Sequence, residues 1–144
     1  MAKVAVVYWS GTGNTQKMAE AVVEGAKGAG AEVECFEVDS FSVDQIDSFD
    51  GLALGCPSMG AEELEEGSYE PFFAAAVDSG KLSGKPVVLF GSWGWGAGAW
   101  METWSERTKE AGANLVDTFI VENEPDDEGI EGSKKLGAAL VGAC

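Results

Sequence analysis

The sequence contains no histidine, and its three cysteines, Cys35, Cys56 and Cys144, stand far apart. Imidazole and paired thiolates are the usual ligands of structural zinc, so this composition points away from a zinc site. Three scattered thiols make no disulfide framework either, and a reducing compartment is expected. Basic residues are scarce, 9 against 25 acids, for a formal net charge of −16. Nucleic acid and anionic membrane would both repel such a chain, which leaves the basic surface of another protein as the expected partner. No stretch approaches the length of a membrane span, and Met1-Ala2-Lys3 leads straight into an apolar run too short for a secretory signal. A cytoplasmic, monomeric protein is expected.

What is present is enough apolar material for a real core: 144 residues, 45% of them hydrophobic. That length fits one domain spanning residues 1–144. The acids are interleaved with periodic apolar segments, which favours a solvated acidic surface on a folded domain over disorder. Neither an internal repeat nor a low-complexity linker interrupts the chain.

Val4-Ala5-Val6-Val7-Tyr8 is a continuous apolar, β-branched run ending near glycine and threonine, the pattern of a buried parallel strand entering a turn. From Thr15 onward Met18, Ala21, Val22, Gly25, Ala26 and Ala29 recur at helical spacing, and Gly28 and Gly30 suit the stop. The unit repeats. Glu32 to Val38 reads as a strand, followed by a Ser/Asp-rich connection, and Gly51 to Cys56 as another, followed by a helix through Pro71 to Val77. Pro86 to Phe90 gives a fourth strand, a helix carries Trp100, Thr103, Trp104 and Ala111, Leu115 to Val121 gives a fifth strand, and a last helix starts near Asp127 with Leu136, Gly137 and Leu140 on one face. This alternation predicts an α/β fold, a five-stranded parallel sheet with helices on both faces. The second strand carries Glu32, Glu34 and Glu37 and the fifth Asp117 and Thr118, whereas the others are almost wholly apolar. The second and fifth are therefore expected at the edges, in agreement with the order 2-1-3-4-5, whose ligand crevice lies beyond the carboxyl ends of the strands at the switch point.

In such a sheet the loops after the first, third and fourth strands lie side by side. The first, Ser10-Gly11-Thr12-Gly13-Asn14-Thr15, alternates hydroxyl or amide side chains with glycine and enters a helix. Backbone N–H groups, hydroxyls and the positive helix end converge there, as a phosphate requires. With no Lys or Arg inside the loop, the anion would be held by neutral donors, which suits a bound monoester better than a triphosphate undergoing reaction. The Walker ending Gly-Lys-Ser/Thr is absent, and Gln16 stands where the third glycine of the dinucleotide fingerprint belongs. A glycine-serine turn with Thr or Asn capping a helix is the plainer alternative.

The second loop, Pro57-Ser58-Met59-Gly60-Ala61-Glu62, offers a polarizable side chain to cover a ring, a glycine free to reorient its peptide, and a carboxylate able to accept from a ring N–H. An ordinary turn with Glu62 at a helix start reads it equally well in isolation. The third, Ser92-Trp93-Gly94-Trp95-Gly96, puts two indoles among glycines where a loop should be exposed, which suits a stacked aromatic ligand. Trp100 and Trp104, four apart on a helix, are expected in the core.

Together Tyr8-Trp9-Ser10-Gly11-Thr12-Gly13-Asn14-Thr15, Met59-Gly60-Ala61-Glu62 and Ser92-Trp93-Gly94-Trp95-Gly96 resemble the flavin mononucleotide (FMN) loops of flavodoxins. The likeness covers the whole chain, and the absence of an inserted segment after the fifth strand resembles the short-chain group. It implies an electron carrier without a substrate, working at low potential through the semiquinone/hydroquinone couple of non-covalently bound FMN. It implies that Ser10, Thr12, Gly13, Asn14 and Thr15 bind the phosphate with Ser92 nearby, that Gly11 shapes the turn, and that Trp9, Pro57, Ser58, Trp93 and Gly96 flank the site. Met59 and Trp95 would sandwich the ring, the Gly60 carbonyl would meet N5 on reduction, Glu62 would hold N3, and backbone around Gly94 and Trp95 would meet the pyrimidine edge. Ala61 and Trp93 depart from the residues often found there, which bears on tuning rather than binding.

Other occupants of this strand order fit less well. A phosphorylated receiver domain needs an aspartate at the end of the third strand, where Gly55-Cys56 stands, and a phosphatase built on Cys56 needs a downstream arginine that is absent. Cys56 reads instead as a buried strand-end residue. A flavin enzyme with its own substrate predicts acid–base residues beside the ring, for which Glu62 is the one obvious candidate.

Overall fold

The computed structural model describes residues 2–11, 13–59, 64–94 and 98–144. Five parallel strands, β1 (Lys3–Tyr8), β2 (Glu32–Glu37), β3 (Gly51–Gly55), β4 (Pro86–Trp93) and β5 (Asn114–Glu122), form one sheet in the order β2-β1-β3-β4-β5. The order expected from strand polarity is the one observed. Every residue of β3 and Val4 to Tyr8 of β1 are buried, while the acid-bearing β2 and β5 stand at the edges with mostly exposed or half-buried residues.

Among the described residues, four α-helices cover the two faces. Helix α1 (Asn14–Gly28) and α4 (Asp127–Ala143) lie on one side, where Met18, Val22 and Ala26 meet Leu136, Leu140 and the inner side chains Val4, Val6, Ala53 and Val88. These two helices pack at backbone contact. A Cβ on Gly25 would lie 1.9 Å from the Lys134 carbonyl oxygen, and one on Gly137 2.2 Å from that of Val22, so only glycine permits the approach. Helices α2 (Tyr69–Ser79) and α3 (Ala99–Glu110) cover the other side with an aromatic layer of Tyr69, Phe72, Phe73, Trp100 and Trp104. Trp100 and Trp104 are each 1% exposed and belong to the core, as their helical spacing predicts.

Three boundaries differ from the sequence reading. Helix α2 begins at Tyr69, with Pro71 inside its first turn, where the missing N–H has no intrahelical partner to lose. The Ser/Asp-rich connection between β2 and β3 winds into two 3-10 segments, Val38–Ser40 and Val43–Ser48. Strand β4 does not stop at Phe90 but continues through Trp93, because neighbours on both sides supply hydrogen bonds: Ser58 N–H donates to Ser92 C=O at 3.1 Å and Asn123 N–H to Trp93 C=O at 2.7 Å.

Candidate functional site

The chain leaves β1 at Tyr8, and Trp9 N–H still donates to the Gly55 carbonyl of β3 at 3.0 Å, so the first loop starts from a fixed point at the sheet's carboxyl edge. The turn into α1 is made by Gly13 at φ 94°, a left-handed conformation that favours glycine. Ser10 Oγ accepts from the N–H groups of Gly13 at 3.0 Å and Gln16 at 3.3 Å. Two amides therefore converge on one oxygen at a helix start, the donor arrangement that receives an anionic oxygen. The Ser10 hydroxyl thus holds the turn closed at the start of α1, while Gly13 in the capping position has no side chain to bond and the Thr15 hydroxyl is turned to Ser92. Trp9 folds its indole across Gly11, where even a Cβ would come to 3.0 Å of the ring.

The first and third loops meet through buried hydroxyls. Thr15 and Ser92, 1% and 5% exposed, face each other with Oγ1 and Oγ 3.2 Å apart, and Ser92 N–H lies 3.4 Å from Thr15 Oγ1. Ser92 is a residue of β4 itself, not of the loop after it, which corrects the expected loop boundary and gives its hydroxyl a fixed position. Gly91 has to be glycine for the same reason of placement, because a Cβ there would sit 2.2 Å from the Cys56 carbonyl oxygen and 3.1 Å from Trp100.

A cavity of about 260 Å³ opens between the loops, lined by Trp9, Gly11, Asn14, Pro57, Ser58, Met59, Ser92, Trp93, Gly94 and Asn123. It combines aromatic and thioether walls with a hydroxyl and amide end. Thr12, Gly60, Ala61, Glu62, Trp95 and Gly96 lie outside the described residues. The cation nearest the loop in sequence, Lys17, is engaged by Glu124, whose carboxyl it holds below its ordinary range. The hydroxyl and amide end of the cavity therefore offers neutral donors and the helix field. A wider groove of about 590 Å³ runs between α3 and β5, lined by Glu102, Glu106, Lys109 and Thr118 among others.

Asn123 was not singled out by its sequence. It follows β5 in the left-handed region at φ 58°, pairs with Trp93 through its N–H, and brings Oδ1 to 3.5 Å of the position a Gly94 Cβ would take. The signal was the residue type, since asparagine is among the few that tolerate positive φ, but only the fold brings it to the third loop. Cys56, by contrast, is a fully buried strand-end thiol as expected, pushed up to about 12 chiefly by burial.

These residues fit the phosphate and ring of FMN: convergent neutral donors at one end, flat apolar walls at the other. The flavodoxin family model matches residues 6–137. Flavodoxin of Megasphaera elsdenii is 47% identical over 140 residues, covering 97% of this chain and 99% of that protein. Flavodoxin of Clostridium beijerinckii is likewise 47% identical, over 91% of this chain and 96% of the relative. The solution structure of two-electron reduced Megasphaera elsdenii flavodoxin superimposes with a TM-score of 0.88 over 96% of this chain and 98% of its own. With sheet order, loop geometry and sequence in agreement along nearly its whole length, the chain belongs to the flavodoxin family, the FMN-bearing electron carriers.

Proposed function

We propose that this flavodoxin carries one electron at a time at low potential, on FMN seated in the cavity between the first, second and third loops. The observation that supports this site most is the cavity in which Asn14 and Ser92, the latter bonded to Thr15, meet the Trp9, Met59 and Trp93 walls. When bound, FMN supplies a ring that takes up electrons singly or in pairs. The protein's part is to hold and bias that ring. Ser10, Thr12, Gly13, Asn14, Thr15 and Ser92 would anchor the phosphate, and neutral donors leave its charge largely uncompensated. Trp9, Met59, Trp93 and Trp95 would flank the ring and exclude water, with Pro57, Ser58, Gly94 and Gly96 shaping the backbone around it. A Gly60 carbonyl and the Glu62 carboxylate would accept hydrogen bonds from ring N–H groups.

The low potential follows from charge. Adding an electron to a site in a chain of net charge −16, whose second loop runs into the acidic sequence Glu62-Glu63-Leu64-Glu65-Glu66, is opposed by like-charge repulsion. A cost of roughly 3 kcal/mol would lower a one-electron potential by on the order of 130 mV, at about 59 mV per factor of ten. The same acidity favours basic docking surfaces on redox partner proteins and discourages self-association, in keeping with a monomer. Among the described residues no helix is long and apolar enough to cross a membrane, which is compatible with work in the cytoplasm.

The phosphate anchor is tested by comparing FMN with riboflavin on the flavin-free protein. FMN should bind at least about a hundredfold more tightly, because charge-assisted hydrogen bonds contribute about 1.5–3 kcal/mol each. Thr15→Val should narrow that gap by about tenfold while leaving riboflavin binding unchanged. Equal affinity for the two flavins would reject the phosphate assignment.

A further inference from the structure

Glu65 does not line the cavity, yet it is bonded on every side. Its carboxylate accepts from three successive amides at the start of α2: Gly67 N–H at 2.6 Å, Ser68 N–H at 2.7 Å and Tyr69 N–H at 3.1 Å. Ser68, the residue in the capping position, makes no capping bond with its own side chain, so Glu65 does that work from outside the helix. The Glu65 carbonyl accepts from Glu70 N–H at 2.8 Å, and its N–H donates to Cys56 Sγ at 3.4 Å.

Cys56 is the hinge of this arrangement. Its N–H donates to the Phe90 carbonyl at 3.1 Å and its own carbonyl accepts from Trp100 Nε1 at 3.2 Å, so the end of β3 is tied to β4 and α3 before the chain enters Pro57 and Ser58. Helix α2 is tied in turn, by Tyr69 Oη donating to the Val7 carbonyl at 2.8 Å and by the two-point pair of Glu70 with Arg107 at 2.6 and 2.7 Å.

We propose that Glu65 is a positioning residue for the flavin site, joining the start of α2 to the end of β3 so that the Pro57–Met59 wall is held in place. The inference rests on the reading that this wall borders FMN. Carboxylates at a helix start are ordinarily matters of stability alone. Here the carboxylate fixes the segment whose backbone N–H bonds the strand end from which the wall departs, so its loss loosens the hold on the wall as well as on the helix. The effect on FMN has a distinctive sign. Removing an acid near a bound anion should tighten binding by relieving repulsion, whereas removing a positioning contact weakens it.

FMN release from the holoprotein, followed by the recovery of free-flavin fluorescence on dilution, separates the two. Glu65→Ala should weaken FMN binding about tenfold and Glu65→Gln, which keeps one acceptor oxygen, about threefold. Glu66→Ala removes the same charge from an exposed neighbour and should leave the affinity equal or tighter. Hydrogen exchange at the Gly67, Ser68 and Tyr69 amides should accelerate in Glu65→Ala and not in Glu66→Ala. Glu65 and Glu66 variants of equal affinity would overturn the proposal. Should Glu65→Ala fail to fold, Glu65→Gln against Glu66→Gln decides by the same sign. Met59→Ala keeps the two readings apart: a Met59 variant of unchanged affinity refutes the wall itself, while a weakened Met59 variant beside an unaffected Glu65 variant refutes only the positioning role.

Discussion

Cys56 shows how much one buried side chain contributes to the behaviour of the whole protein with pH. Its thiol has no solvent exposure, and burial moves it from an ordinary value of 9.0 up to about 12. The folded state therefore keeps its proton where the unfolded state has lost it. The stabilisation is complete below pH 9 and is lost as pH rises from about 9 to about 12, by an amount of order 4 kcal/mol. In Cys56→Ala this part of the alkaline decline should disappear, so that urea midpoints measured from pH 8 to 10.5 fall less steeply than in the parent protein. The buried, unreactive thiol was legible from its place at the end of an apolar strand. Asn123 was not, because its left-handed turn after β5 has meaning only once Trp93 is seen accepting its N–H. Ser92 lay between these cases: resemblance put it near the first loop, where it meets Thr15, but that partner is distant in the chain and its place on β4 depends on neighbouring strands.

At the scale of elements, the strands most easily read were those whose burial is total, since continuous apolar runs have no competing interpretation in a covered sheet. The end of β4 was misread because Gly91-Ser92 looks like the start of a turn, while the hydrogen bonds that extend it come from Ser58 and Asn123. Helix α1 carries the first loop, and α4 holds α1 by backbone contact at Gly25 and Gly137. Gly137 was identified as part of a helical face, but that its missing side chain is the point of contact needed the neighbouring helix. Gly137→Ala puts a methyl 2.2 Å from the Val22 carbonyl oxygen and forces the helices apart. Overpacking of this kind costs about 1–3 kcal/mol, so the urea midpoint should fall accordingly, with a similar m-value. Gly142→Ala, where a Cβ meets nothing within 4 Å, should not lower it and serves as the control.

For the whole molecule, the dominant quantity is its charge. A net charge of −16 spread over 144 residues should accelerate encounter with basic proteins and slow it with acidic ones. Electron transfer to a basic haem protein should accordingly slow as salt is raised from about 0.01 to 0.15 M, where the screening length drops from about 30 to 8 Å. A rate indifferent to salt would remove electrostatic docking from the account. The convergence of three loops at one sheet edge was legible because the parallel order dictates it, whereas the walls and hydroxyl contacts that make the loops a single pocket arise only from tertiary packing. The central claim, that this pocket makes FMN a low-potential one-electron carrier, is tested most directly by reductive titration of the purified holoprotein followed by absorption. Two separate one-electron steps are predicted, with a yellow oxidised spectrum giving way to a long-wavelength blue species before full bleaching, and the second step well below the first. A single two-electron step with no blue species would contradict the account.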